Sequence, residues 1–260
     1  MAQTTEAPLI RKGQEAAAGP FPYQIAPPAE VRRRRLTLFV AFGLAVYLLT
    51  LLATLPARLL VQRTDEPGIW LAVSGTVWNG EAALAHGHAV RWTWRPLASL
   101  ASLSFATDLR VTGPDTAVEG MAQWRWSGMV LDDLEGHASA SLLSALAPSL
   151  PFVCDFPMRL SIGRIAFGGQ NPGASGRIRS SPGSCTSRTG ATAAASPVPA
   201  LAAEAATNVG GSSGWVAPQG NRSNKLITYA VTPNGETSIT VDPAASAVIP
   251  GAEAIRSLAR

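Results

Sequence analysis

The chain has 260 residues but only two cysteines and three histidines, and 15% of its residues are charged. Imidazole and thiolate are the side chains most often used as general bases, nucleophiles and soft-metal ligands, so their scarcity leaves few ways to assemble a catalytic centre. No H-E-x-x-H segment and no phosphate-cradling glycine loop occurs. Charge well below the usual quarter is what a chain partly in lipid shows. Disorder throughout is excluded, because 47% of the residues are hydrophobic, enough to bury the core of one domain with appendages. The net charge of +4 also excludes less than it suggests. Residues 1–35 hold six basic and three acidic side chains, and residues 56–260 hold 15 basic against 14 acidic. Three of the four net charges therefore sit in a short N-terminal arm. The nearly neutral remainder has no basic stripe to replace the counterions of a phosphate backbone, which rules out nucleic acid as a partner.

Between the arm and the body, residues 36–55 (LTLFVAFGLAVYLLTLLATL) carry no charge. As a helix, 20 residues span roughly 30 Å, the thickness of a hydrocarbon core. A lone span has to be helical, since lipid offers its backbone no hydrogen bonds. A cleaved signal peptide fits less well: the run starts 35 residues in, is longer than a signal core and lacks a convincing A-x-A site. Arg32, Arg33, Arg34 and Arg35 immediately precede the span, and the positive-inside rule then puts the N-terminus in the cytoplasm and residues 56–260 across the membrane. The Pro- and Ala-rich arm 1–35 lacks periodicity and reads as disordered.

The body reads as strands. Leu103, Phe105, Leu109 and Val111 share one face of an extended segment, and Ser104, Asp108 and Arg110 the other. Arg91–Arg95, Ala122–Trp126 and Met158–Ile162 alternate in the same way. The Asn-Gly pair in Pro233–Glu236 predicts a hairpin between Lys225–Val231 and Ser238–Val241. Short helices are predicted at Pro96–Ser102 and Ser139–Leu146, the second entered through a polar turn at Asp132–Gly136. The predicted class is mainly β: a largely antiparallel sheet domain with one or two short helices, behind one transmembrane helix. Gly, Ala, Ser, Thr and Pro dominate 169–222; this region predicts a strand at Gly176–Ser181 and a flexible stretch at about 186–214.

Cys154 and Cys185 both lie on the translocated side, where an even count in an oxidising compartment favours a disulfide over two free thiols. His86-Gly-His88 supplies half a metal site, but the spacing suggests no third ligand, and a polar sheet face accounts for it as well. His137 with Asp132, Asp133 and Glu135 offers carboxylates for acid–base work or calcium, or simply a solvated helix entry. No cofactor, metal or small-molecule substrate is expected, and the balance is against an enzyme.

The most distinctive stretch is Val73–Ala82, VSGTVWNGEA. Gly75 permits a tight reversal, Asn79-Gly80 a second one, and Trp78 carries a large apolar payload between them. That composition suits the corner of a meander around a tryptophan, or a surface on which Trp78 meets a partner directly. An S-G-T-[VLI]-W-x-G-x-A segment soon after an N-terminal span resembles type II secretion system protein N. So does the following W-x-[WL]-x-P-L pattern, here Trp92-Thr-Trp94-Arg-Pro-Leu97, together with the Leu-rich stretch Leu142–Pro148 and the strand Leu160–Ile165. The likeness covers 36–190 well and 190–260 weakly. It implies a non-catalytic subunit of the bacterial inner membrane, single-pass, whose periplasmic β-domain meets other secretion components during export of folded proteins. Gly75, Thr76, Trp78, Gly80, Trp92 and Trp94 are then its candidate structural or partner-binding motif. A membrane-anchored β-protein that binds or shuttles envelope lipid is the alternative, and it needs a continuous apolar sheet face. An anchored enzyme requires His86, His88 and a carboxylate to converge.

Overall fold

A computed structural model describes residues 29–61, 69–168, 172–188 and 195–252, in two compact units, Met1–Thr50 and Leu51–Arg260. Of the predicted arm, residues 1–28 lie outside the described residues. Helix α1, Ala29–Ala53, starts earlier than the uncharged run, so Arg32–Arg35 belong to its first turns. Its apolar side chains are exposed all round, from Leu36 and Phe39 to Leu49 and Leu52. Such a helix has no core-facing stripe, and Arg33–Ala53 is long and apolar enough to cross a membrane. Thr37 and Thr50 donate their hydroxyls back to the carbonyls of Arg33 and Val46, so these two polar groups are satisfied within the helix.

The second unit is a sheet protein. After the short helix α2 (Arg58–Val61) come β1 (Trp70–Gly75), β2 (Asn79–Leu84), β3 (Ala89–Trp94), helix α3 (Pro96–Ser102), β4 (Phe105–Gly113), β5 (Thr116–Arg125) and β6 (Gly128–Ser139). Helix α4 (Ser141–Leu146), β7 (Phe152–Asp155), β8 (Pro157–Gly168), β9 (Gly173–Ser180), β10 (Gly183–Ser187) and β11 (Ser196–Val198) follow. The chain ends its described part with β12 (Leu201–Asn208), β13 (Gly211–Pro218), β14 (Ile227–Val231), β15 (Thr237–Val241) and α5 (Ala245–Val248). Twelve strands form one antiparallel meander, β1-β2-β3-β4-β5-β6-β8-β9-β12-β13-β14-β15. The chain leaves it twice, once to build α4 and β7 and once to build β10 and β11. The two excursions pair with each other in a small sheet, β11-β10-β7.

Period-2 patterning gives the large sheet two unlike faces. Registry puts Val73, Ala82, Val90, Trp92, Leu109, Val111, Val118, Leu131, Leu160, Ile178, Val216, Ile227 and Val241 on one face. The other face carries the charges. Glu81–Arg91, Arg110–Glu119, Asp132–Arg164 and Arg177–Glu204 are ion pairs between residues directly opposite on neighbouring strands. A bulge at Asp133 (φ 53°) opposite Gly120 and another at Gly163 shift the phase of β6 and β8 together, so their apolar residues stay on one face. The predicted polar turn at Asp132–Gly136 is thus the middle of strand β6: the carboxylates sit on the polar face and the bulge absorbs the broken alternation.

At one end of the apolar face, the small sheet, α4 and α5 complete the core: Leu84, Leu226 and Val241 are at most 2% exposed, and Leu142, Cys154, Phe156, Cys185, Val198 and Ile249 pack with them. Cys154 and Cys185 face each other in register on β7 and β10 and form the disulfide. The stretch predicted to be flexible is largely sheet. β12 and β13 pair along their whole lengths, and β9 pairs with β12. Small side chains have little β-propensity, but Ala202 and Ala217 are 5% and 0% exposed, and packing on neighbouring strands overrides propensity. Of that stretch, residues 189–194 lie outside the described residues. The short helix predicted at Pro96–Ser102 is α3, and α4 occupies most of the other.

Candidate functional site

The six motif residues form one constellation at the end of the sheet opposite the small sheet. Gly75 and Gly80 face each other across the β1–β2 turn. Gly75 has φ 87°, and a Cβ there would meet the Asn79 carbonyl oxygen at 2.5 Å. A Cβ on Gly80 would sit 2.3 Å from the Trp92 ring, so glycine is what lets that indole lie across the strand. Thr76 closes the turn: its N–H donates to the Asn79 carbonyl at 2.8 Å, and its hydroxyl accepts from the Asn79 N–H at 3.1 Å. Each of the three indoles has a partner. Trp92 Nε1 donates to the Val77 carbonyl at 3.0 Å, and Trp94 Nε1 to the Ser99 hydroxyl at 2.9 Å.

Trp78 Nε1 donates to the Leu52 carbonyl at 2.8 Å. Leu52 lies in the last turn of α1, within the second unit, where carbonyls lack the usual i+4 partner; its carbonyl also accepts the Leu55 N–H at 3.4 Å. Neighbouring bonds extend the attachment: Val77 N–H donates to the Leu55 carbonyl at 2.9 Å, Ala57 N–H to Gly75 at 3.1 Å, and Pro56 bridges to Thr76. The Trp78 ring packs on Trp94 (centroids 4.7 Å, tilted) and edge-on to Phe105 (5.7 Å). Sequence reasoning pointed to the tryptophans and glycines. It missed Leu52, Leu55, Ser99 and Phe105, whose parts are set by backbone carbonyls and distant packing that no spacing reveals.

The other candidates do not come together. His86 sits in a 3-10 turn, Ala85–Gly87, with φ 60°, whereas His88 is 1% exposed with Nε2 3.0 Å from the Ser141 hydroxyl. The two rings therefore do not share a strand face. His88 Nδ1 has no partner and lies over Gly113, where a Cβ would meet it at 2.0 Å. Burial, reinforced by His86, pushes the His88 pKa below its ordinary value. His137 is on β6 opposite Arg159 and Ala117. No group of three or more His, Cys, Asp or Glu placed to hold a metal occurs among the described residues.

Gly210-Gly-Ser-Ser-Gly214 has the G-x-S-x-G spacing of a nucleophile elbow, but it runs from a turn into β13 rather than from a strand into a helix. Ser212 is 2% exposed; its hydroxyl donates to the Ala174 carbonyl and accepts from the Ala174 N–H, both at 2.9 Å. That serine ties β13 to β9. A recess of about 940 Å³ on the polar face is lined by Arg91, Arg95, Asp108, Arg110, Glu119 and Glu135, most of them committed to cross-strand ion pairs.

The described residues thus comprise an apolar N-terminal helix long enough to cross a membrane and a large antiparallel sheet with a tryptophan corner at one end. The profile of the type II secretion system (T2SS) protein N family matches residues 67–246, and the chain belongs to that family. Membership makes it part of the type II secretion machinery, a setting in which it meets other components of the apparatus. No curated protein and no solved structure gives a significant match.

Proposed function

We propose that the chain is a non-catalytic, single-span subunit of the bacterial inner membrane that presents its β-domain in the periplasm to other type II secretion components. The observation that carries this reading is the family match, which runs from the start of β1 to the last described helix and so takes in nearly the whole sheet domain. Arg32–Arg35 at the start of α1 support a cytoplasmic N-terminus. The disulfide supports an oxidising compartment for the other side. Gly75, Thr76, Trp78, Gly80, Trp92 and Trp94 serve in this reading as the scaffold that ties sheet to helix end. A partner strand would extend the large sheet at β15, one of its two edge strands with β1.

The test is a deletion strain with exoprotein activity counted separately in medium and periplasm. Folded exoproteins trapped in the periplasm, and released by complementation, are the expected result; undiminished secretion overturns the role. A second reading, a carrier of envelope lipid, draws on the apolar face, where Leu109, Val111, Leu131, Leu160, Ile178, Val216 and Ile239 pack against one core. It is only half-buried in the middle, at Leu131, Leu160 and Ile178, and open at Phe167. Phospholipid co-purifying in stoichiometric amount with the full chain would support that carrier.

A further inference from the structure

Helix α3 is inside out. Its hydroxyls turn inward: Ser99 bonds the Trp94 indole and the Ala106 N–H, and Ser102 bonds the Ala98 carbonyl at 2.7 Å and the Ser104 hydroxyl at 2.5 Å. Its leucines turn outward, with Leu97, Leu100 and Leu103 81%, 73% and 89% exposed. Spaced by three, they share one side of the helix and its cap. No residue from Pro96 to Thr107 is charged. Leu103 closes α3 in the left-handed conformation (φ 47°, ψ 41°), a position that suits glycine, and its side chain packs on nothing there. Nothing inside the domain is gained from three leucines so placed.

We propose that α3, together with Trp126 in the β5–β6 turn, is a second membrane contact that enters the headgroup–acyl boundary of the bilayer spanned by α1, on the side where α1 ends. Continuity with the end of the span supports this occupant. α3 leaves the sheet at Trp94 and returns at Phe105, and both rings pack on Trp78, which is bonded to Leu52 in the last turn of α1. Phe105 pairs in register with Trp124, the last tryptophan of β5, 54% exposed, and Trp126 beyond it is fully exposed. Tryptophan and leucine, with Arg125 between the two tryptophans and no acidic residue in Pro96–Thr107 or Trp124–Ser127, fit the interfacial region, where amphipathic rings sit at headgroup level. Seven residues of helix are too few to hold a membrane alone. Attached to a span, however, their binding is intramolecular and adds without a further association cost.

The proposal rests on α1 being a span, and the experiment separates the two. The full chain is reconstituted in phosphatidylethanolamine–phosphatidylglycerol vesicles with an environment-sensitive fluorophore at Leu100→Cys, Leu44→Cys within α1, or Arg222→Cys in the exposed turn after β13. Nitroxide-bearing lipids should quench the labels at positions 100 and 44, and iodide should quench position 100 several-fold less than position 222. Lipid quenching at 44 but not at 100, with free access of iodide to 100, overturns the proposal and leaves the span standing. Quenching at neither position overturns both. Shielding of position 100 from iodide without lipid quenching means a protein contact and also overturns it. As a variant that adds no thiol, Trp126→Phe should lower the share of tryptophan emission quenched by brominated lipid, and an unchanged share overturns the proposal.

Discussion

At the end of the large sheet closed by the small sheet, Leu84, Leu226 and Val241 are at most 2% exposed and a disulfide locks the strands that cover them. At the opposite end Phe167 and Trp124 are more than half exposed, and the tryptophans of the corner are held by hydrogen bonds to carbonyls and a hydroxyl. One end derives its stability from burial, the other its geometry from directed polar contacts. The difference follows from where the chain departs from its meander. Both excursions leave and return at the same end, so only that end receives a second layer. The other end receives the last turn of α1 and a helix whose leucines face out.

The sharpest way to break this comparison is a pair of truncations. Leu226→Ala, at 0% exposure, should cost about 4 kcal/mol in denaturant unfolding, whereas Leu100→Ala in detergent-free buffer on the sheet domain should stay within about 0.5 kcal/mol. Equal costs would mean the two ends are packed alike. Next in size is the covalent link: replacing Cys154 and Cys185 with serine opens a loop of 31-residue separation and should cost about 3 kcal/mol, read as a lower thermal midpoint under non-reducing conditions.

Trp78→Phe keeps a ring against Trp94 and Phe105 but removes the N–H bonded to Leu52, and should cost about 1 kcal/mol. A loss as large as that for Leu226→Ala would place this corner with the buried core instead. The smallest expected effect concerns pH at the closed end. His88 has its pKa lowered in the folded state, so the unfolded chain binds the proton more readily. The contribution of neutral His88 is then complete above its ordinary pKa of about 6.5 and is lost as pH falls below it. His88→Gln should flatten the acid side of the stability profile, measured by urea midpoints across that window; an unchanged slope would show that His88 binds its proton equally well in the folded and unfolded states.

Much of this arrangement was legible in local pattern. Alternation marked β3, β4, β5 and β8, Asn-Gly marked the β14–β15 turn, and the uncharged run marked α1, because side-chain period and apolar length are local quantities. The six motif residues were grouped by a family resemblance rather than by local chemistry, and residue type alone left open whether Trp78 serves as scaffold or meets a partner. The alanine-rich strands β12 and β13 were not legible: with small side chains, what makes a strand is the neighbour it pairs with. The polar segment Asp132–Gly136 misled for a related reason, since a bulge hides the alternation it preserves.

By itself, then, the sequence determined the long apolar helix, the two-faced strands, an even count of cysteines and the glycine turns beside Trp78. All of these follow from residue chemistry within a few positions along the chain. Tertiary structure alone decided that Trp78 would meet Leu52, 26 residues away, and that His88 would be buried against Ser141. It also decided which end of the sheet was filled and which face of α3 was left apolar. Those outcomes depend on the register of twelve strands and on where two excursions cross, and such long-range pairings are fixed by the whole chain folding together.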